Sequence, residues 1–390
     1  MDVRTTIPYG RQSISEDDIQ TVVSVLRSDW LTQGPVVPAF EKAIADKCGA
    51  AHAVAVNSAT SALHIACLSL GLGPGDVLWT SPNTFVASAN CARYCGADVD
   101  FVDIDPLTAN ISIEKLEQKL REARSRSRLP KILVPVHFAG LPCDMAEIYA
   151  LSQEYGFRII EDASHAIGAN YRNETIGNCR YSDITVFSFH PVKIITSAEG
   201  GMSLTQDTQL AQKMQRLRSH GITRDHALMT HEPDGPWYYQ QIELGFNYRM
   251  TELQAALGLS QLSRLATFVQ RRRKLADRYD NLLSGLPLTL PGRMSDAESA
   301  WHLYAIRLNP NTGTTAHRQV FERLLDARVG VSLHYIPVHM QPYYQQLGFK
   351  AGDFPDAETY YSQAISLPLY PDLSEAQQDY IVRCVAESMQ

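Results

Sequence analysis

The chain has 390 residues, of which 45% are hydrophobic and 20% charged, as is usual for a globular protein with a substantial buried core. A net charge of −7 argues against a nucleic-acid surface as the main function. The basic run QRRRK at 270–274 lies in a long helical pattern, and we interpret it as a solvated helix face. The sequence has no run of about 18 apolar residues, so we expect no transmembrane helix and no membrane partner.

The length predicts one large domain with a smaller one, or roughly two to three domain-sized units. The stretch from residue 1 to residue 18 has no apolar signal-peptide core. The seven cysteines are scattered and none forms a CxxC pair, so neither a metal site nor a disulfide framework is indicated. We therefore expect a cytoplasmic protein with reduced, mostly buried thiols.

Strand-like and helix-like stretches alternate through the first two-thirds of the chain, which predicts an α/β domain with a mostly parallel sheet. The predicted strands are HAVAV (52–56), DVLWT (76–80), VDFVDI (99–104), KILVPVHF (131–138), FRIIEDA (157–163) and DITVFSF (183–189). The last three are continuous apolar runs, as expected of strands covered on both faces. Helical patterns follow the first three strands, at 57–71, 84–96 and 111–126.

A change of pattern marks the C-terminal part of the chain. One long helical pattern runs from residue 251 to about residue 283, and we place the domain boundary near its middle. This divides the chain into a large domain at 1–265 and a small α+β domain at 266–390. The small domain has predicted strands WHLYAIRL (301–308) and VSLHYI (331–336), with a helix between them at 315–330.

The segment from Asn57 to Leu63 falls at the end of a predicted strand, where α/β sheets bind their ligands. Small hydroxyl residues turn the chain there, and a helix begins. Free N–H groups at a helix N-terminus bind phosphate. The alternative interpretation is an ordinary Ser/Thr N-cap without a ligand.

Three single side chains also follow predicted strands. Asp162 closes an apolar strand, and its burial is costly unless a cation such as a protonated heterocycle nitrogen pairs with it. Lys193 follows the next strand and precedes two glycines, a setting in which desolvation makes the amine a nucleophile. Phe85 could stack on a planar ring. The alternatives are a structural aspartate, a solvated loop lysine and a core phenylalanine.

Together these groups provide a phosphate cradle, an acid for a ring nitrogen, a lysine for an aldehyde and an aromatic surface. This is the set that a pyridoxal 5′-phosphate enzyme needs, so the sequence predicts that cofactor. The combination is a much stronger signal than any of its members.

Five motifs resemble the sugar-nucleotide aminotransferases of the DegT/DnrJ/EryC1/StrS family. They are NSATSAL (57–63), EDASHAIGA (161–169), VFSFHPVKIITSAEGG (186–201), LRSHGI (217–222) and LGFNYRMTELQAALGLSQL (244–262). The resemblance implies a pyridoxal-phosphate-dependent, aspartate-aminotransferase-like fold (fold type I). It further implies a large domain with a mostly parallel seven-stranded sheet, a smaller α+β C-terminal domain, and a homodimer with active sites at the subunit interface.

The resemblance also implies roles for single residues. Lys193 matches the lysine that binds the cofactor covalently, and Asp162 matches the acid that pairs with its ring nitrogen. Phe85 stands where an aromatic side chain stacks on the ring, and His165 where members carry glutamine or histidine near it. Four further residues match positions that bind the phosphate, the last of them from the other subunit: Ala59, Thr60, Ser188 and Asn247.

The histidine-containing form SFHPVK, together with LTQGP and HYIPVH, is similar to UDP-linked bacterial transaminases, above all those of the pseudaminic-acid pathway. This implies transfer of an amino group from L-glutamate to the C4 ketone of a UDP-linked 4-keto-6-deoxy-N-acetylamino sugar. Another nucleotide keto sugar, or a non-catalytic relative, remains open. Candidates for binding the nucleotide sugar, unless they only pack an interface, are Thr32, Gln33, His190, Arg249, His334, Tyr335 and His339.

Overall fold

The computed structural model describes residues 6–309 and 313–390, so the first five residues of the N-terminal stretch lie outside it. The strands are β1 (His52–Val56), β2 (Val77–Thr80), β3 (Asp98–Phe101), β4 (Ile132–Val134), β5 (Arg158–Asp162), β6 (Asn170–Tyr171), β7 (Glu174–Thr175), β8 (Ile184–Ser188), β9 (Gly201–Thr205), β10 (Ile222–Thr223), β11 (Gln240–Gln241), β12 (Leu288–Thr289), β13 (Ala297–Glu298), β14 (Tyr304–Leu308) and β15 (Ala364–Leu367). The α-helices are α1 (Glu16–Leu26), α2 (Val36–Cys48), α3 (Ala59–Ser69), α4 (Ala87–Tyr94), α5 (Ile113–Ser125), α6 (Met145–Tyr155), α7 (Thr208–Leu217), α8 (Glu252–Leu262), α9 (Leu265–Leu283), α10 (Gly313–Asp326), α11 (Pro342–Gln345), α12 (Pro355–Gln363) and α13 (Glu375–Ser388).

A seven-stranded sheet forms the centre of the large unit, in the order β1-β9-β8-β5-β4-β2-β3. Strands β8, β5, β4, β2 and β3 pair in parallel, whereas β9 runs antiparallel to both of its neighbours. The mostly parallel sheet predicted from the sequence is therefore confirmed. Because parallel strands end at one edge, this topology brings the residues that follow β5 and β8 together.

Helices cover both faces of the sheet, which is why its strands are continuous apolar runs. One face packs against α2, α5 and α6, with Ile44, Leu116 and Ile148 in the core. The other face packs against α3, α4 and α7. Successive residues of a strand point to opposite faces, so Val186 and Phe187 of β8 enter different cores. None of the described helices is long and apolar enough to cross a membrane.

The C-terminal part has its own core around the antiparallel sheet β12-β14-β15 and helices α9, α10 and α13. Ile7, from the start of the described chain, joins this core and bridges to Val329. The division of the chain near residue 265 stays a prediction. All seven cysteines are buried, and none is in a disulfide.

Three predicted elements differ from the structure. The helical pattern from 251 to 283 is two helices, because the chain turns at Ser263 and Arg264 between α8 and α9. The predicted strand at 131–138 is shortened to β4, since the chain turns into a short 3-10 helix at Phe138–Gly140. The predicted strand at 331–336 is wrong: only Ser332 forms a single bridge, to Ser366, and the segment is otherwise irregular.

The basic run at 270–274 is a solvated face only in part, which corrects the interpretation above: Gln270 and Lys274 are exposed, but Arg272 is buried. Arg272 is 1% exposed, and its Nη1 donates to the carbonyl oxygens of Trp301, His302 and Leu369 at 3.2, 3.2 and 2.8 Å. Burial lowers the pKa of Arg272 to about 10. The run therefore anchors α9 to the segments that enter β14 and leave β15.

Candidate active site

A cavity of about 490 Å³ opens where β5 and β8 end. Asp162 closes β5, and Ser188 closes β8. Residues after both strands, together with the start of α3, line the cavity. The groups that the sequence analysis placed at strand ends thus meet in one site, for the reason given by the sheet topology.

Lys193 lies in the loop that follows β8 and lines the cavity. The loop is held by a backbone hydrogen bond from Lys193 to the His190 carbonyl oxygen at 2.9 Å, and by the buried side chains of Ile194 and Ile195. Burial lowers the pKa of Lys193 to about 8, against the opposing influence of the Asp162 charge. A substantial fraction of this amine is therefore neutral near physiological pH, as a nucleophile requires.

Asp162 is 5% exposed at the end of β5. The Ser88 hydroxyl donates to its Oδ2 at 2.6 Å, and the Ser164 N–H donates to its Oδ1 at 3.1 Å. Within residues 6–309 and 313–390, no Lys, Arg or His nitrogen lies within 4 Å of this carboxylate. A buried acid with hydrogen bonds but no cationic partner is a site prepared for a ligand cation.

The N-terminus of α3 forms another wall. Ser58 caps the helix through the Ser61 N–H, while the N–H groups of Ala59 and Thr60 donate no hydrogen bond within the described residues. Gly201 of β9 pairs with the last residues of β1 and β8, and a Cβ on it would lie 2.5 Å from the Ala59 nitrogen. This glycine brings Ser188 beside the free N–H groups, which together suit a phosphate.

Phe85 and His165 flank the space between these walls. Phe85 is 58% exposed, and its ring centroid lies 6.4 Å from that of Tyr335. His165 is buried and accepts a hydrogen bond at Nδ1 from the Ala139 N–H at 3.3 Å. Burial lowers the pKa of His165 well below its usual value, so the neutral ring carries its proton on Nε2 and donates to the Tyr335 hydroxyl at 3.1 Å.

Two more histidines line the cavity, His302 and His334. Burial, and to a smaller extent the charge of the nearby Lys193, lowers the pKa of His334 to about 4. Burial and the neighbouring His165 hold the pKa of His302 well below its usual value. These imidazoles are therefore neutral at physiological pH and do not repel a cationic ligand.

The predicted residues divide into those that line the cavity and those that do not. His190, His334 and Tyr335 are in its wall together with the cofactor candidates. His339 is fully buried and bonds to Glu358 at 2.9 Å, which fits the packing alternative. The residues outside the cavity wall of this chain are Thr32, Gln33, Asn247, Arg249 and His339.

Sequence reasoning missed several residues of the site. Tyr9, Glu199 and His302 line the cavity, and Ser88 bonds to Asp162. Tyr9 and His302 come from distant parts of the chain and belong to no motif. Ser88 lies in the predicted helical stretch at 84–96, but nothing in the sequence singles it out from neighbouring small residues.

Two small residues, Ser197 and Gly200, follow Lys193 in the loop after β8. Packing within the chain itself requires both residues to be small. Ser197 is fully buried, and a Cβ on Gly200 would lie 2.2 Å from the Ser197 Oγ and 2.6 Å from the Met250 Cε. Close packing of the loop, rather than ligand contact, accounts for both residues.

A model of the DegT/DnrJ/EryC1/StrS aminotransferase family matches residues 12–386. The chain belongs to this family. It is 41% identical to the spore coat polysaccharide biosynthesis protein SpsC of Bacillus subtilis (strain 168) over 384 residues, which cover 98% of this chain and 96% of that protein.

Solved structures of other aminotransferases share the fold over nearly the whole chain. Helicobacter pylori PseC, an aminotransferase involved in the biosynthesis of pseudoaminic acid, is similar with a TM-score of 0.91 and 30% identity, covering 99% of both chains. The putative sugar aminotransferase Spr1654 from Streptococcus pneumoniae, in its PMP-form, has a TM-score of 0.90 and 29% identity, covering 98% of this chain and 99% of that one. The predicted fold is thereby confirmed.

Aminotransferases of this family depend on pyridoxal phosphate, and the structure of Spr1654 is known in PLP-form and PMP-form. The residues present in this chain fit that group. A buried carboxylate without a cationic partner, a partly buried lysine and free N–H groups of α3 share one cavity. The chain is thus a sugar aminotransferase that uses pyridoxal phosphate, with a sugar and an amino donor as substrates.

Proposed function

We propose that this transaminase moves an amino group from L-glutamate to the C4 ketone of a UDP-linked 4-keto-6-deoxy-N-acetylamino sugar, a pseudaminic acid precursor. The observation that carries the proposal is the meeting of Lys193 and Asp162 in one cavity at the ends of neighbouring parallel strands. The lowered pKa of Lys193, about 8, supports a role as nucleophile and proton carrier.

Each group has a role that follows from its position. Pyridoxal phosphate supplies an aldehyde that carries the amino group and a ring that takes up electrons from the reacting carbon. Lys193 would hold the aldehyde, and its amine is placed to move a proton at the reacting carbon. Asp162 holds the positive charge on the ring nitrogen. The Ala59 and Thr60 N–H groups, with the Ser188 hydroxyl, bind the phosphate.

Other cavity residues are placed to receive the sugar. Phe85 provides an aromatic surface for the cofactor ring, and His165 fixes the hydroxyl of Tyr335 beside it. His190 is exposed at the cavity wall, and His334 is anchored by its Nδ1 to the Ser366 hydroxyl at 2.8 Å. We assign these side chains to binding of the nucleotide sugar, because neutral imidazoles and phenols bond to hydroxyl and carbonyl groups.

The acceptor assignment is supported by similarity to PseC, an aminotransferase involved in the biosynthesis of pseudoaminic acid. The similarity to SpsC extends the choice to other sugars of surface polysaccharides. UDP-4-keto-arabinose and GDP- or dTDP-linked keto-deoxy sugars are therefore the competing acceptors.

The proposal includes a cytoplasmic homodimer with shared active sites. Asn247, matched to a phosphate-binding position, is exposed and does not line the cavity of its own chain. The preceding segment exposes large apolar side chains, with Trp237 71% and Leu244 78% exposed. Exposed apolar groups of this size are typical of a surface that a partner covers, and a second copy would carry Asn247 to the neighbouring site.

The test is a panel of UDP-, GDP- and dTDP-linked keto sugars with L-glutamate, with mass detection of aminated products. We expect turnover with the UDP-linked 4-keto-6-deoxy-N-acetylamino sugar, and none with Lys193→Ala. Lys119→Ala is the matched control, since Lys119 is also a partly buried lysine whose pKa burial lowers, but it pairs with Asp100 outside the cavity. Faster turnover of another sugar would show that this other sugar is the acceptor. No turnover of any sugar would favour the non-catalytic alternative.

A further inference from the structure

Two buried hydroxyl groups connect the cavity wall to Asp162. Ser88, in the first turn of α4, is fully buried, and its Oγ lies 2.6 Å from the Asp162 Oδ2. The Thr84 Oγ1 lies 2.8 Å from the same Ser88 Oγ, and Thr84 lines the cavity. Thr84 belongs to the loop that leads from β2 into α4, the helix that carries Ser88.

Chemistry determines the direction of these two hydrogen bonds. An ionised carboxylate only accepts, so the single hydroxyl proton of Ser88 is donated to Asp162. The Ser88 oxygen is then free to accept, and Thr84 must be its donor. Thr84, Ser88 and Asp162 therefore form a one-directional chain that ends on Oδ2.

We propose that Ser88, supported by Thr84, is a positioning residue that holds the Asp162 carboxylate in place for the cofactor ring nitrogen. This rests on the role of Asp162 in the proposed function. It assigns to two residues outside the family motifs a part in orienting the acid of the site.

The physical reason is the burial of Asp162. Removing a carboxylate from water costs free energy, and each hydrogen bond that it accepts offsets part of this cost and fixes its orientation. Asp162 has two such donors, Ser88 and the Ser164 N–H, and no cationic side chain within 4 Å among the described residues. Without Ser88, one oxygen of the buried carboxylate loses its donor, and the carboxyl group can rotate away from its present position in the cavity wall.

The first test compares Ser88→Ala with Ser69→Ala, a matched control in which a buried serine at the end of α3 loses a bond to the Ala66 carbonyl oxygen. Pyridoxal phosphate is titrated into each protein after removal of its cofactor, and the thermal unfolding midpoint is measured with and without it. A hydrogen bond to a charged group corresponds to roughly a tenfold to hundredfold change in an equilibrium constant. We expect a loss of affinity of that size in Ser88→Ala, with a smaller cofactor-induced thermal shift, and wild-type affinity in Ser69→Ala.

The second test asks whether Ser88 acts through Asp162. In the Asp162→Asn background, Ser88→Ala should change cofactor affinity by less than about twofold, because the carboxylate is already absent. Thr84→Val, which keeps the shape and removes the hydroxyl, should give a smaller loss than Ser88→Ala.

Two outcomes overturn the proposal. One is an unchanged cofactor affinity in Ser88→Ala when Asp162→Asn lowers it. The other is an equal loss from Ser88→Ala in both backgrounds, which would show a purely structural effect. If Asp162→Asn itself leaves cofactor affinity and turnover unchanged, the role of Asp162 in the proposed function is what fails.

Discussion

At the scale of single residues, Lys193 shows how position changes the chemistry of a common side chain. An exposed lysine is almost fully protonated at neutral pH. Burial in the cavity wall lowers the pKa of Lys193 to about 8, and the Asp162 charge partly opposes the shift. The reactive form is therefore accessible without a separate general base.

This predicts a pH dependence for covalent attachment of the cofactor. The rate at which pyridoxal phosphate attaches to the cofactor-free protein should rise with pH and have its midpoint near the Lys193 pKa of about 8, because only the neutral amine attacks. Stopped-flow absorbance measures this rate. Asp162→Asn removes a charge that raises the Lys193 pKa, so the midpoint should move to lower pH. A midpoint at the ordinary lysine value of 10.5 would contradict the burial effect.

Lys193→Ala should abolish covalent attachment while leaving the fold intact, since Lys193 lies in a loop and its side chain belongs to no core cluster. Borohydride treatment followed by mass spectrometry should find a reduced adduct in wild-type protein and in Lys119→Ala, but not in Lys193→Ala. An adduct at wild-type yield in Lys193→Ala would identify another lysine as the nucleophile.

At the scale of elements, helix α9 connects the two cores. Arg272 donates to carbonyl oxygens before β14 and after β15, and the Tyr279 hydroxyl donates to the Pro368 carbonyl oxygen at 2.9 Å. These bonds place β14 and β15, and hence the segment at 334–335 beside Ser366, relative to the large sheet. The basic run of α9, whose charges suggest a solvated surface, thus helps to position one wall of the active site.

Arg272→Met should therefore destabilise the protein by about 2 to 4 kcal/mol, because three buried carbonyl oxygens lose their donor. Arg273→Met is the control on the same helix: Arg273 pairs with the largely exposed Glu298, so we expect a loss of about 1 kcal/mol or less. Urea unfolding of both variants measures the difference. Equal stability of the two variants would show that the Arg272 bonds only compensate the cost of burying its charge.

At the scale of the whole molecule, two of the segments in which the described chain exposes large apolar groups contain a tryptophan. Trp30 and Leu31 precede α2, and Trp237 and Leu244 precede Asn247; all four are at least half exposed. Stable dimers bury large apolar surfaces. We expect these side chains to become protected from solvent in a homodimer, which hydrogen exchange or tryptophan accessibility can measure.

Shared active sites predict complementation between inactive chains. A Lys193→Ala chain mixed with an Asn247→Asp chain should form mixed dimers in which one site carries both changes and the other carries neither. Partial transaminase activity should return in proportion to the mixed dimers counted by native mass spectrometry. Each parent alone should be impaired, Asn247→Asp because a carboxylate repels the phosphate. Mixed dimers without recovered activity, or a fully active Asn247→Asp chain, would exclude the shared site.

The sequence by itself determined six of the seven strands of the large sheet, all but β9, and the main groups of the site. Strands such as β1, β5 and β8 are local apolar runs ended by polar or small residues, and this information is contained in neighbouring positions. Asp162 and Lys193 were predicted for the same reason, since Asp162 closes such a strand, Lys193 lies in the loop after the next one, and the strand ends of a parallel sheet meet.

Only the tertiary structure decided features that depend on contacts between distant segments. Ser88 donates a hydrogen bond to Asp162, 74 residues away, and Arg272 donates to carbonyl oxygens up to 97 residues away. His302 and Tyr335 reach the cavity because β14 and β15 bring irregular segments to it, which is also why the predicted strand at 331–336 was wrong. Local patterns indicate which side chains must be apolar and where the backbone must turn. The contacts of Ser88, Arg272, His302 and Tyr335 form only when separate elements pack together.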